Sequence, residues 1–281
     1  MPTASSAVRR PFTLAPRERS ADMAYQLSAN IELLFTEAGA DAGDRVRAAA
    51  AAGFDAAEMW FSTDKDLDTL GKALADTGVQ LTSLLAGPRM GYTFPGTDLA
   101  PFHKGLDVAV EHARRLGCPR VVLASGVGFP GMNRQRNLQV IIDMFGEALE
   151  RHRDSGVDFV LEPVNSRVDH PGALTDRTED AVVVARALAS DRFGILYDLY
   201  HSISQGEDPA TELANAAGLV KYVQLADVPG RGEPGSGSVD WAAQLAVLRA
   251  SGYDGPIGLE YFPTVPSEQS IARIRAIAAE A

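Results

Sequence analysis

Cysteine is all but missing from these 281 residues: Cys118 stands alone, which rules out an intramolecular disulfide and a cysteine-built metal cage. A reducing, cytoplasmic setting is the expectation. Histidine is nearly as scarce, with five residues, too few for a multinuclear zinc site. Positive charge is short as well. Lys and Arg number 26 against 37 Asp and Glu, and the formal net charge of −11 opposes the attraction to phosphate behind nonspecific nucleic-acid binding. No stretch reaches the roughly 18 uninterrupted apolar residues of a membrane helix, and the first 22 residues carry four arginines without a hydrophobic signal core. The expected partner is therefore a small molecule, with no nucleic acid and no membrane. Residues 1–22, with prolines and no periodicity, read as a disordered extension before a single domain spanning 23–281.

From Met23 onward, short β-rich runs alternate with longer alanine-rich stretches of helical spacing, the pattern of a parallel sheet wrapped by helices. Strands are expected at 26–35, 56–60, 80–86, 120–125, 158–164, 193–200, 220–227 and 256–261. Helices are expected at 44–52, 66–77, 101–116, 134–155, 178–190, 209–217, 240–251 and 266–279. Glycines at 53, 78, 117, 156 and 252 punctuate the helix ends before the next strand. No linker divides the body. The first strand–helix junction, Leu33 to Gly39, carries no dinucleotide-binding glycine pattern, so a (β/α)8 TIM barrel is preferred to an open doubly wound sheet.

In such a barrel the C-terminal ends of the strands converge on one mouth, where active sites are built. The fifth to eighth predicted strands close on Glu162, Asp198, Gln224 and Glu260. Any one of these alone reads as a cap or an ion-pair partner. Four in consecutive strands read as a cluster whose burial demands a cation. Two glutamates, an aspartate and an amide offer hard oxygen ligands with a combined charge of −3, which suits magnesium, manganese or cobalt; no organic cofactor is expected.

Four segments carry a family resemblance: Leu-Glu-Pro-Val-Asn-Ser-Arg-Val-Asp-His-Pro-Gly (161–172), Tyr-Asp-Leu-Tyr-His (197–201), Gln-Leu-Ala-Asp-Val-Pro-Gly-Arg-Gly-Glu-Pro-Gly (224–235) and Gly-Tyr-Asp-Gly-Pro-Ile-Gly-Leu-Glu-Tyr (252–261). With them the chain resembles the hydroxypyruvate isomerase family of the xylose-isomerase-like barrels, over essentially the whole body after Met23. The resemblance implies that Glu162 and Glu260 act as paired acid/base residues and also bind the metal, with Asp198 and Gln224 completing the coordination. Related epimerases more often carry histidine where Gln224 stands. Moving a carbonyl between adjacent carbons needs a proton taken from one carbon, an enediolate held, and a proton returned to its neighbour, which a chelating metal and two carboxylates can manage.

Around this core, His201 is a candidate donor to a substrate oxygen or a loop residue capping a helix. Arg231 is a candidate clamp for a substrate carboxylate or a solvated loop residue. Asn165 and Arg167 either line the mouth or bond within their loop, and Glu58 either orients a ligand or hydrogen-bonds His201. The chain departs from the family's usual asparagine and glycine-aspartate loop after the third strand, having Gly-Pro-Arg89-Met-Gly, and has Gly232 where a histidine usually follows the arginine. Arg89 is a candidate replacement carboxylate contact. The expected reaction interconverts hydroxypyruvate and tartronate semialdehyde. The alternatives are a ketose 3-epimerase or a 2-oxo sugar-acid isomerase, then an endonuclease of the same superfamily, then a non-catalytic binding barrel. Assembly into a homo-oligomer is left open by the sequence.

Overall fold

The computed structural model describes residues 25–124 and 126–280; the extension expected over residues 1–22 lies outside them. Nine parallel strands follow in chain order: β1 (Leu27–Asn30), β2 (Ala56–Glu58), β3 (Gln80–Leu81), β4 (Leu84–Leu85), β5 (Arg120–Leu123), β6 (Asp158–Leu161), β7 (Phe193–Asp198), β8 (Val220–Leu225) and β9 (Ile257–Leu259). Their order in the sheet is β3-β2-β1-β9-β8-β7-β6-β5-β4. The two ends of that order are the halves of the third expected strand, interrupted only by Thr82 and Ser83. β3 pairs with β2 and β4 with β5, while Leu85 N–H still bonds Trp60 O at 3.0 Å. One broken strand thus joins both neighbours and closes an eight-position barrel.

Helices α1 (Ala42–Ala51), α2 (Leu67–Thr77), α3 (Ala100–Leu116), α4 (Arg134–Arg151), α5 (Thr178–Leu188), α6 (Leu199–Gln205), α7 (Pro209–Asn215), α8 (Trp241–Ala250) and α9 (Ser267–Glu280) cover the outside. Carboxylates or amides cap several starts: Asp41, Asp66, Asn133, Asp208 and Asp240 each accept a first-turn backbone N–H. In α3 the buried residues Phe102, Leu106, Ala109, Val110 and Ala113 recur every three or four positions, one stripe facing the strands. α3 ends at Gly117 with φ of 69°, a left-handed cap that glycine adopts without strain. Among the described residues no helix is long and apolar enough to cross a membrane.

The main core lies between strands and helices, and a smaller cluster of Val122, Val160, Leu196 and Tyr222 fills the barrel interior. The observed strands stop short of the expected ones. β1 ends at Asn30 rather than Phe35 because Asn30 starts a turn, its carbonyl accepting from Leu34 N–H at 2.8 Å and its side chain from Glu32 N–H at 3.0 Å. The expected strand over 193–200 ends at Asp198, which caps α6 by accepting from Tyr200 N–H at 2.9 Å. α6 was absent from the expected set, and it carries His201.

Candidate active site

Adjacent parallel strands lie about 4.8 Å apart, so residues at neighbouring tips meet side by side. Glu162 directly follows β6, Asp198 ends β7, Gln224 lies in β8 and Glu260 directly follows β9. Asp198 is paired in register with Gln224, and Gln224 with Gly258. Above them opens a cavity of about 520 Å³ whose wall includes Glu162, His201, Gln224, Arg231 and Glu260. Asp198 sits just behind that wall. Ligand atoms of Glu162, Asp198 and His201 all lie within 4.8 Å of one another.

Crowding these acids has an electrostatic consequence. Burial above all, then the charges of Glu260 and Asp198, pushes the Glu162 carboxyl well above the ordinary carboxylate range. Burial pushes Asp198 up to about 7, although Arg231 pulls the other way. Arg231 is the one cation drawn down among these acids in the described residues, 3.4 Å from Glu260 and 3.7 Å from Asp198, with its guanidinium 5.0 Å from the Tyr200 ring centre. Burial works against its charge, and Glu260, Asp198 and Glu162 outweigh that and raise its affinity for the proton. Arg231 is thus neither solvated nor held out over the mouth.

The donor set fits a hard divalent cation. Asp198 Oδ2 and Gln224 Oε1 are buried acceptors with no hydrogen-bond partner. Gln224 cannot turn its nitrogen inward, because Nε2 donates to both Glu58 oxygens at 3.1 Å. Glu58 also accepts from Tyr222 Oη at 2.6 Å, Asn30 Nδ2 at 3.1 Å and Ser83 Oγ at 3.4 Å. Burial and then Glu260 push the Glu58 carboxyl up to about 8, against these donors. Of the two roles expected for Glu58, the geometry has it orienting Gln224: it makes no contact with His201 and lies beneath the cavity. Room for it comes from Gly258, where a Cβ would stand 2.4 Å from Glu58 Oε2.

His201 owes its state to Asn165. The Asn165 Oδ1 accepts from the backbone N–H groups of Val168 and Asp169, both at 3.0 Å, which leaves Nδ2 facing His201 Nδ1 at 2.7 Å and Asp169 at 2.9 Å. The Asn165 backbone N–H points at the same ring nitrogen, at 3.3 Å. Nδ1 therefore accepts, and the ring proton belongs on Nε2, 3.5 Å from Glu162 and 3.7 Å from Asp198. Burial, Arg231 and His170 hold the His201 pKa well below the ordinary histidine range, so the ring is neutral. A neutral imidazole with Nε2–H facing the cavity donates a hydrogen bond.

Asn165 is buried and positions His201 without reaching the cavity wall. Arg167 is exposed and packs over Gly206 beyond α6, away from the mouth, because the turn after Glu162 carries it outward. Arg89 does reach the cavity, its guanidinium 5.6 Å from the Phe61 ring centre. Two neighbours escaped the sequence reading. Trp60 donates from Nε1 to Glu260 at 2.9 Å, and His170 lines the wall with its ring centre 5.3 Å from that of His201. Trp60 ends the second expected strand, so its place at a barrel tip was the available signal.

The xylose isomerase-like TIM barrel family model matches residues 46–277. A Streptomyces coelicolor protein with a provisional hydroxypyruvate isomerase name is 34% identical over 269 residues, covering 88% of this chain and 94% of its own. The Escherichia coli protein named hydroxypyruvate isomerase is 27% identical over 253 residues, covering 88% of this chain and 96% of its own. Among solved structures, a Brucella melitensis protein described as an AP endonuclease of family 2 superposes with a TM-score of 0.81 at 26% identity, covering 90% of this chain and 98% of its own. The chain belongs to the xylose isomerase-like TIM barrel family, alongside proteins that carry the hydroxypyruvate isomerase name.

Proposed function

We propose that this isomerase is metal-dependent and interconverts hydroxypyruvate and tartronate semialdehyde at the mouth of the barrel. One observation carries the reading: two glutamates, a donating imidazole and a guanidinium face one cavity, beside two buried oxygens that nothing donates to. Glu162, Asp198, Gln224 and Glu260 would hold the cation, magnesium, manganese or cobalt on the chemistry of their oxygens. A divalent cation there supplies Lewis-acid polarisation of the carbonyl and neutralises enediolate charge.

The side chains do the rest. Glu162 and Glu260, three strands apart around the mouth, take the proton from the hydroxyl-bearing carbon and return one to the neighbouring carbon. The hydroxyl proton passes from one substrate oxygen to the other, so the reaction balances without an external oxidant or reductant. His201 Nε2–H donates to a substrate oxygen, and Arg231 leaves its acids to pair with the substrate carboxylate. The endonuclease named among the structural relatives suits this chain poorly: the cluster contains one histidine, a donor at Nε2, on a chain of net charge −11.

The test is conversion itself. Purified protein stripped of metal and reloaded with manganese or magnesium is expected to convert hydroxypyruvate to tartronate semialdehyde, and excess chelator to stop it. Metal-independent conversion, or none with any of the ions, would remove the proposal.

A further inference from the structure

The cavity has two unlike halves. β6 to β9 supply the acids, the amide and, through the segments that follow, His201 and Arg231. Among the described residues the opposite half, from the tips of β4 and β5 and the segment beyond, presents Leu85, Val122, Ala124 and Val127. Of the polar groups in that half, Trp60 Nε1 is committed to Glu260 and Ser83 Oγ to Glu58, while Arg89 stands exposed at the rim with its guanidinium over the Phe61 ring. At the rim, Met90 and Phe262 line the same cavity while 66% and 52% exposed, unusual for large apolar side chains at a mouth.

Size points the same way. Even at water's liquid share of about 30 Å³ per heavy atom, a three-carbon hydroxy-oxo acid displaces only about 200 Å³. The cavity holds about 520 Å³. A chain of hydroxyls lying against the side chains of Leu85, Val122 and Val127 would bury donors and acceptors on a wall that offers no hydrogen bond, Arg89 being out at the rim. A hydrocarbon segment would be desolvated favourably on the same wall.

Resting on the isomerase reading above, we infer that the preferred substrate is a longer hydroxy-carbonyl acid whose tail is apolar: an α-hydroxy-oxo acid with an alkyl substituent lying against Leu85, Val122 and Val127 and covered by Met90 and Phe262. The reacting carbons remain with Glu162 and Glu260, and the carboxylate with Arg231.

Three compounds test this on the unmodified, metal-loaded protein: hydroxypyruvate, 3-hydroxy-2-oxohexanoate and its 4,5,6-trihydroxy counterpart. Solvent-deuterium incorporation at the reacting carbon gives kcat/KM for each. Each apolar carbon buried in the transition state is worth about fourfold, so the alkyl acid should exceed hydroxypyruvate on the order of fiftyfold and the polyhydroxy acid should show no such gain. Val122→Thr should narrow the ratio of alkyl acid to hydroxypyruvate severalfold. Exchange of hydroxypyruvate with no gain for the alkyl acid overturns the inference and leaves the isomerase reading intact. A larger gain for the polyhydroxy acid also overturns it, in favour of a sugar acid. Exchange with none of the three overturns the isomerase reading and this inference with it.

Discussion

Replacing Glu58 with glutamine tests whether a residue outside the cavity sets the donor that faces into it. Ionised, above the value of about 8 to which burial and Glu260 push it, the Glu58 carboxylate accepts from Gln224 at both oxygens, from Asn30 at one, and from Tyr222 and Ser83 at the other. A glutamine there has one oxygen and one NH2 group. Whichever way it turns, its NH2 meets Gln224 Nε2, and donor faces donor. Gln224 relieves the clash by rotating its amide, which turns Oε1 toward residue 58 and sends an NH2 group toward the place now held by an unpartnered oxygen. Leaving a buried polar group unsatisfied costs about 1–3 kcal/mol, and loss of a partner behind a metal ligand typically weakens metal binding about 10–100-fold. Glu58→Gln should therefore lower manganese affinity in that range above about pH 8, where Glu58 is ionised, measured by competition with a fluorescent chelator. The same cost should lower the melting temperature by several degrees. A folded variant that binds manganese within about twofold of the unmodified protein would refute the assignment of Gln224 Oε1 as a donor held by Glu58.

Gly258→Ala puts a Cβ only 2.4 Å from Glu58 Oε2, so it should destabilise by about 1–3 kcal/mol in urea titration and weaken manganese binding together with it; a change in neither would mean the strand yields without cost. Asp227 anchors the loop that carries Arg231, accepting from Val228 N–H at 2.8 Å, Gly235 N–H at 2.6 Å, Val239 N–H at 3.2 Å and Trp241 Nε1 at 2.9 Å. Burial works to raise its pKa, but the Trp241 indole and the backbone N–H groups of Gly237, Val239 and Gly235 outweigh it and hold the carboxyl below the ordinary range. A depressed folded pKa contributes stability that is present above the unfolded value of about 3.9 and is lost as pH falls through the folded one. Asp227→Asn should cost about 1.5–3 kcal/mol near neutrality and flatten the acid limb below about pH 4 in chemical denaturation series; an unchanged acid limb would count against the anchor.

Much of the site was legible because the last four strand runs carry a chemically distinctive residue at their tips. Leu161 to Glu162, Tyr197 to Asp198 and Leu259 to Glu260 each pass from a buried apolar side chain to an acid, and a parallel barrel gathers such tips by construction. α6 was hidden because Ile195-Leu-Tyr-Asp-Leu-Tyr keeps an apolar β pattern across the boundary, while the residue that breaks it, Asp198, serves as both helix cap and site acid. The roles of Glu58 and Asn165 were equally hidden. Glu58 bonds residues from the first, third and seventh expected strands, and Asn165 reaches His201 36 positions away, so neither arrangement has a local signature. Arg231 illustrates the converse. Its loop was legible, but its descent among Glu260 and Asp198 depends on a positive φ of 55° and on the Asp227 anchor.

On the proposed reading, Glu162 and Glu260 transfer a proton at substrate carbon with a cation held among the four strand-tip side chains. Incubating the manganese-loaded protein with hydroxypyruvate in deuterated water and following the C3 protons by NMR addresses it directly. Deuterium should enter at that carbon in the unmodified protein, with a loss of about 10²–10⁴-fold in Glu162→Gln and in Glu260→Gln. Exchange undiminished in either variant, at full metal content, would contradict it.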